Sequence, residues 1–179
     1  SSDIAKSTIS SISTENYKFH ALVRDDSHTD ELSDLGVNVI LGDATSEEDI
    51  KNFISGVKES GEIHAILHCV GSFAVRPPHA MNKEAFEAVI STNLTSAFLT
   101  LSIAGKAMLS QGHGRMVFMS SVAGSLGLVN HEAISAAKGG IESMVRSAAA
   151  TYANRGLRIN AVAPGLTDTK LASPIMSNE

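Results

Sequence analysis

Five short apolar runs, each closed by a polar residue or glycine and separated by stretches of helical spacing, restrict this chain to one kind of architecture. The runs are Phe19–Val23 ending at Arg24, Val37–Leu41 ending at Gly42-Asp43, 63–70 ending at Gly71, 116–119 ending at Ser120-Ser121, and 157–163 ending at Pro164-Gly165. Residues 3–14 read as a weakly amphipathic helix, and a short helix falls around 31–35. Thr45 or Ser46 caps a helix with Glu47, Glu48 and Asp49 in its first turn, where acids suit the macrodipole, and Ser60-Gly61 ends it. From 82 to 110, Phe86, Val89, Ile90, Leu94, Phe98 and Leu101 keep a helical period that predicts a helix, a kink and a second helix. The Pro77-Pro78 loop before it is not helical. An Ala-rich helix over 133–153, with Asn130 as N-cap, completes the pattern. Strand alternating with helix predicts an α/β fold, a doubly wound parallel sheet of the Rossmann-like, three-layer αβα type, within a single domain over 1–179. Ligands of such sheets lie outside the carboxyl ends of the strands, so the five polar ends should converge on one crevice.

Charge and cysteine usage remove several function classes. Nineteen acidic against fourteen basic residues give −5 without a Lys/Arg cluster, which argues against a nucleic-acid or anionic-membrane partner. A single cysteine, Cys69, excludes an internal disulfide and suits a reducing, cytoplasmic setting. No long apolar run or signal peptide is seen, so no membrane span is expected. His64 and His68 share a strand face, but no third ligand stands at metal spacing, and no metal is expected. The chain opens without methionine, as if in the first turn of a helix already under way, and both ends look cut.

The chemistry concentrates between Gly114 and Lys138. A buried strand delivers Ser120 and Ser121 at its carboxyl end, and Lys138 follows on the second turn of the Ala-rich helix. Gly139 and Gly140 in mid-helix suggest that another element approaches closely there.

Taken in order, Asn93-Leu94-Thr95-Ser96-Ala97-Phe98, then Ser120-Ser121-Val122-Ala123-Gly124, then Lys138, then Arg158-Ile159-Asn160-Ala161-Val162-Ala163-Pro164-Gly165 with Thr169, resemble the short-chain dehydrogenase/reductase family. The resemblance covers essentially the whole chain. It implies a strand order 3-2-1-4-5-6-7 with the first strand and the C-terminal strand missing from this chain. The loss should split the sheet and expose two apolar edges, which marks the chain as a piece of a longer protein.

The resemblance also implies a nicotinamide cofactor. Residues 1–5 match the back half of the family's glycine-rich loop, so Asp3 and Ile4 would face the cofactor, with Asp3 and Ala5 at the last two glycine positions. A carboxylate near phosphates weakens binding unless it turns away to cap the helix. Where members that prefer NAD carry an acid, this chain has Val23, and Arg24 follows, which favours NADP over NAD; Asp25 and Asp26 could instead simply pair with Arg24. Asp43 resembles the adenine contact, or is a turn acid. Gly71 closes the N-N-A-G segment with His68-Cys69-Val70 in place of its first three residues, and Pro164, Gly165 and Thr169 match the segment on the carboxamide side of the nicotinamide.

Of the family's catalytic Asn, Ser, Tyr and Lys, three fall on Asn93, Ser121 and Lys138, while the tyrosine position falls on Ile134, which has no proton to donate. Tyr152 lies fourteen residues beyond Lys138 on the same helix, roughly 21 Å away at a 1.5 Å rise per residue, and Tyr17 belongs to an early strand. His131 is the local substitute acid to test, against the alternative of a solvated residue where the helix starts. The resemblance thus implies an NADP-dependent oxidoreductase acting on a small carbonyl or alcohol, with an altered proton-transfer site, assembled as a homo-oligomer. The alternative is a non-catalytic subunit that binds a dinucleotide or serves a structural or regulatory role.

Overall fold

The computed structural model describes residues 3–12, 16–27 and 29–169. Its elements are α1 (Asp3–Ser11), β1 (Phe19–Val23), α2 (Thr29–Asp34), β2 (Val37–Leu41), α3 (Glu47–Glu59), β3 (Ala65–His68), α4 (Lys83–Ile90), α5 (Ser96–Gln111), β4 (Gly114–Met119), α6 (Glu132–Tyr152) and β5 (Leu157–Val162). The alternation read from the sequence is therefore the observed order. Every strand pair is parallel, as crossover helices dictate. Phe19 lies opposite Val37, Ala65 opposite Arg115, and Gly114 opposite Leu157.

The strands form two sheets rather than one, ordered β1-β2 and β3-β4-β5, and β1 is not hydrogen-bonded to β3. This is the split expected where the family's first strand would lie. The two pieces still share a core. Ile50 and Ile54 of α3, Ala97, Leu101, Ala104 and Met108 of α5, Met116 and Phe118 of β4, and Ile141 and Val145 of α6 form the main buried cluster, and Leu22 of β1 packs against it. A second cluster joins Val89 of α4 to Ala123 and to Ala133, Ile134 and Ala137 of α6.

Local chemistry sets the element ends. Ser46, rather than Thr45, caps α3 by accepting from the Asp49 amide, and Asn82 caps α4 by accepting from the Ala85 amide. The kink expected within 82–110 is a π-helical segment, Ser91–Thr95, between α4 and α5. Strand β3 is shorter than 63–70 at both ends; at its start, the Gln111 side-chain amide takes both the N–H and the C=O of Ile63 (3.0 and 3.1 Å) in place of a neighbouring strand. Pro78 opens a short 3-10 turn to Ala80, since proline is accepted at a first helical position.

Two expectations need correction. Asn130 is not the N-cap of α6: it takes a left-handed φ of 62°, His131 occupies the cap, and no side chain bonds there. Nor is a long apolar stretch missing. The helical run Lys83–Gln111, 29 residues, is long and apolar enough to cross a membrane by length and composition. Its apolar positions at Ala97, Leu101, Ala104 and Met108 are those that build the core.

The glycine pair in α6 behaves as its position suggests. A Cβ on Gly140 would stand 2.8 Å from Leu94 Cδ2, and one on Gly139 would stand 3.2 Å from the Gly124 carbonyl. Side chains there would push the helix off the neighbouring elements.

Candidate active site

The carboxyl ends of β3, β4 and β5 are knitted together. The Ser120 amide donates to Val162 O (2.7 Å) and the Val122 amide to Pro164 O (3.0 Å), so the segment after β5 holds the turn after β4. Ser121 is the N-cap of a 3-10 turn, Val122–Gly124, and its Oγ accepts from the Ala123 amide at 3.2 Å. That bond occupies a lone pair and leaves the hydroxyl proton available to an acceptor outside the turn.

Lys138 reaches this edge from α6. It is 7 % exposed, and Nζ donates to Met119 O at 2.8 Å, directly before the serine pair. Burial pushes its pKa down to about 8, partly offset by Cys69 nearby, so the amine still carries a proton at neutral pH. Asn93 sits fully buried in the π-helical segment, whose register brings it against the segment after β3. Its Oδ1 accepts from the Ser72 amide (3.2 Å), and its Nδ2 donates to Ser72 Oγ and Val89 O, each at 2.9 Å. Gly71 completes the group: a Cβ there would lie 3.1 Å from Asn93 Oδ1 and 3.5 Å from Lys138 Nζ. Glycine lets the backbone here approach Asn93 and Lys138 this closely.

His68, at the end of β3, also belongs to this edge. At 4 % exposure, its Nε2 stands 3.2 Å from Ser96 Oγ, whose own proton goes to Thr92 O at 2.6 Å. Ser96 can therefore only accept, which places the proton on Nε2 and leaves Nδ1 a bare acceptor with no partner among the described residues. Burial and the Lys138 charge together push the imidazole down to about 4, so it is neutral at physiological pH. His64, by contrast, lies by Tyr17 and His113 (ring centroids 6.0 and 5.7 Å), apart from His68. Among the described residues no group of His, Cys, Asp or Glu is arranged to hold a metal ion.

Ile134 is 5 % exposed and packs with Val89, Ala123, Ala133 and Ala137, with Ala74 and Met81 alongside. The surroundings of this position are apolar. His131 stands just outside α6, at its cap. Its Nδ1 lies 2.7 Å from Val129 O, a carbonyl that can only accept, so Nδ1 is protonated and Nε2 is the basic nitrogen of the neutral ring. The ring meets Phe73 edge-on at 6.2 Å.

The other sequence candidates form a second group at the ends of β1 and β2. Arg24 is exposed, and Asp25 turns onto the Ser27 amide and hydroxyl instead of onto Arg24. Asp43 Oδ1 accepts from both the amide and the hydroxyl of Thr45, each at 2.8 Å. Those bonds, and the Arg24 charge, hold its carboxyl below the usual range. The turn-acid role of Asp43 is thus present whatever else it does. Asp3 and Ile4 lie in the first turn of α1, and Thr169 Oγ1 donates to Thr167 O at 3.3 Å. Among the described residues, the hydrogen bonds that join the carboxyl ends of β4 and β5 do not extend to Arg24 and Asp43.

The family model described as enoyl-(acyl carrier protein) reductase matches residues 1–179. Among curated proteins, the chain is 35% identical over 133 residues to a cis-4-hydroxycyclohexanecarboxylate dehydrogenase of Sinomonas cyclohexanicum, covering 73% of this chain and 53% of that protein. It is 34% identical over 130 residues to the 3-oxoacyl-[acyl-carrier-protein] reductase MabA of Mycobacterium tuberculosis, covering 72% and 53%. The chain thus spans about half the length of the curated relatives it matches. Among solved structures, levodione reductase superposes with a TM-score of 0.92 at 25% identity, covering 98% of this chain and 72% of that one.

Proposed function

We propose, from the premise that this chain belongs to the short-chain dehydrogenase/reductase family, that it forms the cofactor-binding and reaction edge of an NADP-dependent oxidoreductase acting on a small carbonyl or alcohol. The observation that carries the reading is the convergence of Gly71 and Asn93 on Lys138, whose amine donates to the carbonyl directly before Ser120-Ser121. A cofactor bound there would supply or accept the hydride. The residues fit such a group, because Gly71 brings bare backbone to this edge and Lys138 offers a partly desolvated cation able to donate to ribose hydroxyls. Arg24 supports NADP through its charge, with Asp25 engaged elsewhere. Asp3 and Ile4, Asp43, Pro164, Gly165 and Thr169 are assigned to the cofactor by the same reading.

Ser121 donates its free hydroxyl proton to the substrate oxygen and polarises the carbonyl. Asn93 fixes the segment after β3 through Ser72. Proton delivery is the altered step, since Ile134 has no acid to offer. His131 is the nearest assigned substitute, and its Nε2 would be the atom that gains or gives the proton. The single cysteine suits a cytoplasmic setting. A homo-oligomer belongs to the same reading, with Phe98 exposed on α5.

A non-catalytic role is favoured by the dry, apolar surroundings of Ile134. Titration of the full-length protein with NADPH, followed by assays of wild type, Ile134→Tyr and His131→Ala against a carbonyl panel, separates the two. The proposal expects NADPH binding, and wild-type turnover that His131→Ala removes. Absence of NADPH binding ends it. Binding with turnover only in Ile134→Tyr transfers the protein to the non-catalytic class.

A further inference from the structure

The turn that carries Ser121 is fastened at both of its ends by one side chain to which the family resemblance gives no role. Glu142 lies one helical turn beyond Lys138 on α6. Its Oε1 accepts from Ser120 Oγ at 2.9 Å and stands 3.2 Å from Ser125 Oγ, and its Oε2 stands 3.3 Å from the same Ser125 hydroxyl. Ser120, before Ser121, is buried, and its single proton is shared between this carboxylate and Lys138 O at 3.1 Å. Ser125 closes the turn on the other side.

Gly124 is shaped to the same carboxylate. A Cβ there would come within 2.8 Å of Glu142 Oε1 and 3.0 Å of the Gly139 amide nitrogen, so the turn can settle onto α6 only with glycine at this position. Inside the clamp, the Ser121 carbonyl accepts from the Gly124 amide at 2.8 Å while its Oγ accepts from the Ala123 amide. The orientation of the Ser121 hydroxyl therefore depends on a turn whose two ends are held by one carboxylate, on the helix that also carries Lys138.

The geometry points to Glu142 as a positioning residue that sets Ser121 relative to Lys138, bracing the reaction edge through Ser120 and Ser125. The inference rests on the proposed oxidoreductase reading for its consequence, though not for its geometry. Charge-assisted bonds from two hydroxyls to one carboxylate are stronger than neutral ones. A misplacement of about 1 Å at a reacting group costs up to a hundredfold in rate.

The test uses the full-length protein and four variants, Glu142→Ala, Glu142→Asp, Glu142→Gln and Ser121→Ala, together with the Glu142→Ala, Ser121→Ala double variant. With NADPH and a carbonyl substrate, Glu142→Ala should lower kcat roughly tenfold or more while leaving the NADPH Kd within about twofold. Glu142→Asp keeps the charge but falls one methylene short of spanning both serines, and should behave like the alanine variant. Glu142→Gln keeps an oxygen acceptor and should recover most of the rate. In the Ser121→Ala background the alanine substitution at 142 should cost nothing further. Amide hydrogen exchange at Ala123, the donor to Ser121 Oγ, should quicken roughly tenfold in Glu142→Ala and Glu142→Asp. An equal loss of rate in both backgrounds, or unchanged Ala123 exchange in a folded Glu142→Asp protein, overturns the inference. Should wild type turn over no carbonyl, the oxidoreductase reading falls, and the exchange measurement alone decides the positioning.

Discussion

Strands β1 and β4 are both short, apolar and parallel to their partners, yet β4 buries Met116 and Phe118 completely while no residue of β1 is buried. The difference lies in their neighbours. β4 has β3 on one side and β5 on the other, with α5 and α6 packed against it; β1 pairs with β2 alone and packs against α3. Strand composition is thus a poor guide to burial, which follows from how many sides are covered. The residues proposed for chemistry follow the same division. Gly71, Asn93, Ser121 and Lys138 gather around the three-stranded sheet, whereas Arg24 and Asp43 stand on the two-stranded one, where a cofactor's distal end is assigned.

The largest effect that would sharpen this contrast is in the core. Phe118→Ala should destabilise the fold by about 3–5 kcal/mol, and Leu22→Ala in half-buried β1 by about 1–2 kcal/mol, both read by urea unfolding. Equal losses would mean that β1 is as well covered as β4.

Next comes acid sensitivity. The unfolded His68 imidazole takes up a proton near its ordinary pKa of 6.5, while the folded one resists until about 4. Between those values the unfolded state binds more protons, so stability rises with pH and falls as pH drops from 6.5 toward 4, by on the order of 3 kcal/mol. Unfolding of wild type and His68→Gln at pH 7 and pH 4.5 checks this. A wild-type loss no greater than the variant's would show that His68 is not held neutral in the three-stranded unit.

The smallest contrast concerns two left-handed glycines. A Cβ on Gly156 (φ 86°), before β5, would meet the Gly112 carbonyl oxygen at 1.9 Å, whereas one on Gly36 (φ 75°), before β2, would meet nothing within 4 Å. Gly36→Ala should cost about 1 kcal/mol from backbone strain alone, and Gly156→Ala about 3 kcal/mol or more, because backbone must also move. Thermal unfolding of the two variants ranks them, and a reversed order would contradict the packing between Gly112 and Gly156.

Much of this was legible in the sequence because it is local. Ser46 and Asn82 are read as caps or helix starts from the residues that follow them, and the kink in 82–110 is implied by the length of the apolar period. Asn130 misled because asparagine suits both an N-cap and a left-handed turn, and tertiary context chose the turn. Gln111 takes the backbone of Ile63, at the expected start of β3, from 48 residues away, which no window around the strand could reveal. Glu142 was readable only as an acid four residues after Lys138; that it reaches two serines across the turn is a fact of packing.

Periodicity, capping and motif spacing act within a few residues, so the order and type of the elements, the family and the side chains at strand ends can be read along the chain. Desolvation of Lys138 and His68, the apolar neighbours of Ile134 and the carboxylate that clamps the Ser121 turn came from tertiary packing. Each of those depends on which distant element excludes water from a given atom. Burial and hydrogen-bond geometry are properties of pairs of elements, and a single strand or helix does not contain them.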